Sequence, residues 1–210
     1  EINELYASNP NYSVMTQEEG NQALNKEKMQ GLELITHVNW DAANIAVALY
    51  QMDFEDYFYL SHSGSSMRNR LPLKYWKQTD TKVNGFEVDM NYTFALDHFG
   101  EVQVGGFADL VKNKATNPES LRLSNDGVYL PNMPTNRYGA HIEWTRADWS
   151  ARLANIYYDQ PRYLGKNVSE EVPLPAYNLM DLDIRKKVTL KNASFDLCMN
   201  GSNLLDDEAR

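Results

Sequence analysis

Repeated period-two alternation, links that alternate between short and long, and aromatic residues gathered at both ends of the alternating runs together predict an all-β fold, an antiparallel transmembrane β-barrel. The clearest run is Phe86, Val88, Met90, Tyr92 and Phe94 against Gly85, Glu87, Asp89, Asn91 and Thr93, which gives one wholly apolar face and one small or polar face.

In chain order the expected strands are Leu32 to Trp40, Ala46 to Phe58, and the run ending at Phe94. Val102, Val104, Gly106, Ala108 and Leu110 then oppose Gln103, Gly105, Phe107 and Asp109, while Tyr138, Ala140, Ile142 and Trp144 oppose Arg137, Gly139, His141 and Glu143. Trp149 to Tyr158 follows. Met180, Leu182 and Ile184 alternate with Asp181, Asp183 and Arg185, and Phe195, Leu197 and Met199 with Asp196, Cys198 and Asn200. That makes eight strands and no convincing helix.

Short links fall at Asp41 to Asn44, Asp97 to Gly100, Arg146 to Asp148 and Lys187 to Asn192. Long links fall at Ser61 to Pro72, Asn113 to Asn136 and Gln160 to Ala176. Short turns on one side and long loops on the other are the habit of bacterial outer-membrane barrels. Trp40, Trp144 and Trp149 flank the short turns, and Tyr57, Tyr59, Tyr75, Trp76, Tyr157, Tyr158 and Tyr177 flank the long links, as two interfacial girdles would.

Composition narrows the function. In 210 residues the formal charge is -9 and the pI about 4.9, which argues against nucleic acid as a partner. The lone Cys198 excludes an internal disulfide framework and a multi-cysteine zinc site. No stretch approaches the roughly 18 apolar residues of a membrane helix, and a mean hydropathy of -0.58 is compatible with strands that hide their apolar residues in alternation. No nucleophile lies beside a base and no phosphate-binding glycine loop is present, so an enzyme is not expected.

Several ordered motifs resemble those of TonB-dependent receptors. Glu4-Leu5-Tyr6-Ala7, then Asn21 to Glu27, then Gly31-Leu32-Glu33-Leu34 resemble the family's "ELYA" loop, "NPxLxPE" run and following strand. Asp53-Phe54-Glu55-Asp56-Tyr57 resembles "DFxDYI", Asn84-Gly85-Phe86-Glu87 the "xGxE" strand start, Leu130 to Gly139 "xPxxPxxRxG", and Asn203 to Glu208 "NLLDKEY". The loop-to-strand details resemble zinc- and haem-type receptors most. This resemblance implies a barrel of about 22 strands, of which the chain covers about eight consecutive ones. The plug, the energy-coupling box and the last strand are then expected to lie outside it. It also implies import of zinc, haem or a ferric siderophore across the outer membrane with TonB-derived energy. The expected partners are outer-membrane lipid, the TonB complex through the N-terminal part, and a small metal-containing ligand, with no resident cofactor required.

Candidate site residues are few. His37 and His141 are expected on lumen faces, His98 in a short turn, and His62 in a mobile Ser/Gly-rich outer loop, where a receptor would first meet its ligand. Imidazole ligates both zinc and haem iron. His62 is therefore the metal candidate, and His62, His141 and Glu143 are the ligand-binding candidates. Asp53, Glu55, Asp56, Glu87, Asp89, Asp109, Asp181 and Asp183 are expected on or near the lumen face, where they attract cations or pair with Arg137, Arg152 and Arg185. A passive porin and a soluble ligand-binding barrel are the competing readings; the latter needs its apolar face turned inward.

Overall fold

The computed structural model describes residues 2–116, 128–131, 133–165 and 174–208, with only the backbone of 62–65. A five-residue helix, α1 (Ile2–Tyr6), precedes ten strands. These are β1 (Pro10–Asn11), β2 (Thr16–Glu19), β3 (Lys28–Asn39), β4 (Ala43–Arg68), β5 (Leu71–Ala95), β6 (Glu101–Ala115), β7 (Arg137–Arg146), β8 (Trp149–Tyr158), β9 (Tyr177–Leu190) and β10 (Ala193–Gly201). From β3 to β10 each strand pairs antiparallel with the next, so the eight expected strands are all present as one meander. The helix and the two short strands were not expected.

Register decides the faces. Because cross-strand partners share a side of the sheet, Val38, Ile45, Met90, Gly106 and Ala140 form one lateral row. Tyr92, Val104, Ile142, Leu153 and Leu182 form the next. Phe94, Val102, Trp144, Ala151, Ile184 and Met199 form a third. This face is apolar and open: Met90 is 48% exposed and Leu197 57%. Large exposed apolar side chains repeated across eight strands are what contact with lipid tails requires.

Tight reversals close one end. Trp40 and Ala43 exchange backbone hydrogen bonds around Asp41 and Ala42. Gly100 turns at φ 89, where a Cβ would sit 2.1 Å from the Thr145 carbonyl oxygen, so only glycine fits. Ala147 at φ 49 and the Lys191–Asn192 turn make the other two. Trp144 Nε1 donates to the Phe99 carbonyl (2.8 Å) and the Lys186 ammonium lies 4.6 Å from the Trp149 ring centre, both at this end.

At the other end the structure corrects the expected loop Ser61 to Pro72. β4 and β5 continue pairing to Arg68–Leu71, and the reversal is made by Asn69 (φ 53) and Arg70 (φ 65) alone. Two successive positive φ values are the signature of a type I′ hairpin turn, whose twist matches the strands it joins. Polar residues in this stretch concealed a strand that stands in water rather than in lipid. β2 pairs parallel with the free edge of this extension, Gln17 opposite Leu73, where β6 has already ended. The fully buried Gln17 donates to the Ser8 carbonyl (2.9 Å) and accepts from Asn69 Nδ2 (3.2 Å), and Arg68 pairs with Glu19.

Two further expectations change with this extension. Tyr57 and Tyr59 are not girdle residues: Tyr59 is buried with Ala115 and Leu130, and Tyr57 and Met133 pack against them. Tyr75 and Trp76 lie beyond the polar positions Asn84, Lys82, Asp80 and Gln78 that end the apolar face of β5. Of the described tyrosines and tryptophans, Tyr138 and Tyr157, paired and 6.3 Å apart, sit at that edge on the apolar side. Asp53 and Glu55 likewise leave the lumen face. They share a side with Val47 and Leu49, above the apolar rows, where Asp53 pairs with Lys82 (3.1 Å) and Glu55 with Lys28 (2.9 Å).

Candidate site on the polar wall

The opposite face of the meander carries the charged residues, as alternation demands. Glu87, Asp109 and Arg137 stand side by side on β5, β6 and β7. Arg137 Nε donates to Asp109 Oδ2 at 2.6 Å, and the guanidinium lies 5.6 Å from the Phe107 ring centre. With His37, Asp89, Ala46 and Ala48 these residues line an open concavity of about 600 Å³. It holds three carboxylates, one guanidinium and one imidazole against an aromatic ring, so it suits a partly cationic, partly apolar solute better than an anion.

His141 lies two polar-face rows nearer the tight-turn end than Arg137, opposite Gly105 and Ala154. A Cβ on Gly105 would meet Asn91 Oδ1 at 2.2 Å and His141 Cε1 at 2.3 Å, so the two polar side chains converge over a bare backbone. Glu143 follows two residues on, with Oε2 3.9 Å from Arg152 Nε. Next along the row, Asn200 Nδ2 donates to Asp183 Oδ1. The structure thus places His141 and Glu143 next to each other on one wall.

It does not bring His62 to them. The backbone of His62 pairs with Lys74 in the hairpin extension, whereas the His141 row crosses β5 at Asn91. Seventeen residues of β5 separate those two points, roughly 55 Å along a strand, so one ion cannot contact both. The His62 side chain lies outside the described residues. Among those described, no three His, Cys, Asp or Glu residues gather as a metal site. His98 lies in the 3-10 turn Asp97–Phe99 at the tight-turn end.

Outside the apolar band, burial and the nearby Glu27 carboxylate hold the Tyr57 hydroxyl above its ordinary pKa, and the bond to Glu55 raises that of Lys28. Leu130 is held against this region: its amide donates to the buried Asn113 Oδ1 at 2.6 Å and its side chain packs with Tyr59 and Ala115.

Sequence reading missed the meeting of Asn91 and His141. The adjacent pair Gly105–Gly106 inside a strand was the available signal, since glycine there marks a close approach. It also gave no role to Asn203 and Asp207. Where β10 leaves the ladder, the Asn203 amide donates to Asp181 Oδ1 (2.9 Å) and the Asn178 amide to Asp207 Oδ2 (2.7 Å). The Asn203 side chain also clasps the Asp207 backbone, Nδ2 donating to its carbonyl and Oδ1 accepting its amide. The Asp181 and Asp207 carboxylates thus satisfy amides that a continuing strand would otherwise have paired.

The chain is similar in structure to the copper transporter OprC, with 17% identity and a TM-score of 0.73, over 94% of this chain and 27% of that one. It is similar also to a mutant of the ferric enterobactin receptor PfeA from Pseudomonas aeruginosa, with 18% identity and a TM-score of 0.58, over 91% of this chain and 27% of that one. At these identities the likeness shows the fold, and the chain spans about a quarter of each protein. Residues 1–204 match the family model described as "TonB dependent receptor-like, beta-barrel". With a lipid-type face, a polar wall and that match over nearly its whole length, the chain belongs to the TonB-dependent receptors of the bacterial outer membrane, as part of their barrel.

Proposed function

We propose that this chain forms part of the wall of a receptor that imports a scarce metal or metal chelate with TonB-derived energy. The observation that carries the reading is the register itself, which keeps every lateral apolar row on one face and the Glu87–Asp109–Arg137 and Glu143–Arg152–Asp183 rows on the other. Such a sheet separates lipid from an aqueous passage. The same exposed apolar face disfavours a soluble binding barrel. The neighbours' names, a copper transporter and a ferric enterobactin receptor, support a metal-containing cargo. Zinc and haem stay within the proposal because imidazoles are available at His62 and His141.

In this reading His62 makes an early contact on the outer hairpin, and His141 and Glu143 act later, on the passage wall. The function is transport rather than catalysis. Uptake of zinc, copper, haem and a ferric siderophore by cells carrying the complete receptor tests it, with and without an uncoupler. Accumulation of one of these that collapses on uncoupling is expected. Uptake indifferent to energy would assign the chain to a passive porin instead.

A further inference from the structure

The apolar face of β6 ends at Leu110, which pairs with Phe86. The next two residues on that face are Lys112, opposite Asn84, and Lys114, opposite Lys82. Strands tilted by about 40° climb roughly 2.5 Å per residue along the membrane normal. Lys112 and Lys114 therefore stand about 5 and 10 Å above the last apolar row, within reach of the polar layer that adds roughly 5 to 7 Å to each side of the hydrocarbon. A lysine stem covers that distance easily.

The described acidic residues Asp53, Glu55 and Asp80, on the nearby strands β4 and β5, already have partners. Asp53 holds Lys82 at 3.1 Å, Glu55 holds Lys28 at 2.9 Å, and Asp80 Oδ1 accepts the Asp56 amide at 3.0 Å. Among the described residues neither Lys112 nor Lys114 has a carboxylate partner, and both are exposed. Lys112 Nζ lies 5.2 Å from the Tyr163 ring centre, and Tyr163 contacts Tyr129 at 5.1 Å. Two exposed cations, Lys112 braced by the Tyr163 ring and both continuous below with the lipid face, form a site that suits an anionic occupant anchored in the membrane.

We propose that Lys112 and Lys114, with Tyr163 as a flank, bind the phosphate groups of a phosphorylated lipid headgroup in the outer leaflet. This goes beyond cargo import and does not depend on which cargo is carried.

The complete receptor, purified in mild detergent, is exchanged against mixed micelles of a zwitterionic lipid and a phosphomonoester lipid, and bound lipid phosphorus is measured by native mass spectrometry. The parent should retain the phosphomonoester lipid preferentially, and inorganic phosphate should not displace it. The double variant Lys112→Gln/Lys114→Gln should retain about thirtyfold less, roughly fivefold for each lysine near an anionic surface. Lys112→Arg/Lys114→Arg and the distant Lys187→Gln should match the parent. Equal retention by the glutamine variant, an equal fall in Lys187→Gln, or full displacement by inorganic phosphate would each overturn the assignment. Should the glutamine variant fail to assemble, the parent alone decides: no preference for the phosphomonoester lipid, or one unaffected by high salt, refutes it.

Discussion

Met90 sits at the centre of the apolar run of β5, two residues from Val88 and Tyr92, with Ile45 and Gly106 beside it on the neighbouring strands. Nearly half of its surface is open, so replacing it leaves packing within the sheet largely intact and changes mainly what faces the lipid. An arginine at mid-membrane on such a face costs roughly 2 to 4 kcal/mol, falling toward 0 to 1 at the interfaces. Met90→Arg should therefore lower the folding equilibrium of the complete receptor about 30- to 800-fold. The polar row supplies the control, because Glu87→Gln, one lateral step from the Asp109–Arg137 pair, changes a group that water can reach. Reversible urea unfolding in lipid vesicles, followed by tryptophan fluorescence, measures both. A Met90→Arg receptor within experimental error of the parent would mean that this face does not meet lipid, and the assignment of both faces would fall with it.

Gly105→Val should destabilise by about 1 to 3 kcal/mol, because its side chain would enter the space shared by Asn91 and His141; adding Asn91→Ala should restore part of the loss in the same unfolding assay. Tyr57 has a folded pKa raised by burial, so its contribution is intact below the unfolded value near 10 and is lost as pH rises through the folded value. Phenolate absorbance should show a late-titrating component that Tyr57→Phe removes, and an unchanged titration would contradict its burial. His62→Ala should weaken zinc or haem binding by roughly 10- to 100-fold, the range typical when support for a ligand set is lost, and calorimetry giving equal affinity for both would remove His62 from the site. The isolated 210-residue chain presents β3 and β10 with one unpaired edge each, which lipid cannot satisfy; it should aggregate, and heat-modifiable migration of the refolded chain would show that it closes alone.

The strands that cross the apolar band were legible because alternation of large apolar with polar residues is forced wherever one side meets lipid and the other water. Phe86 to Phe94 could be read in no other register. The constraint vanishes above the band. Leu71 to Asn84 mixes polar and apolar residues on both sides, and Ser61 to Arg68 is rich in serine, so nothing local distinguishes a strand from a loop there. The pairing that makes it a strand is cross-strand, between β4 and β5, and the Asn69–Arg70 reversal contains no glycine to announce it. The displacement of Asp53 and Glu55 to the outer side has the same origin: they continue the parity of Val47 and Leu49 into water, where an acidic residue on that side is no longer excluded. Of the site candidates, His141 and Glu143 were placed on the polar wall by parity alone. Arg152, beside Glu143, comes from the adjacent strand β8, and Asn91, which approaches His141 across Gly105, from β5; the sequence does not state the register that brings them there.

The hairpin also alters how a ligand would be captured. A mobile Ser/Gly loop closing over its ligand must order itself on binding, at about 1 to 2 kcal/mol for each residue fixed. Here β4 and β5 are paired on both sides of His62, apart from a register shift between His62 and Met67. The tip is held by Gln17 to Asn69 and Arg68 to Glu19, and the base by the packing of Tyr59 with Ala115 and Leu130. Most of that ordering is accomplished by folding, before any ligand arrives. A contact made from this scaffold gains affinity from preorganisation, but it cannot travel with the ligand. In the proposed reading, passage from the hairpin toward the wall at His141 and Glu143 would require the ligand to leave the hairpin, so a too-tight grip at His62 would slow import even as it strengthened binding.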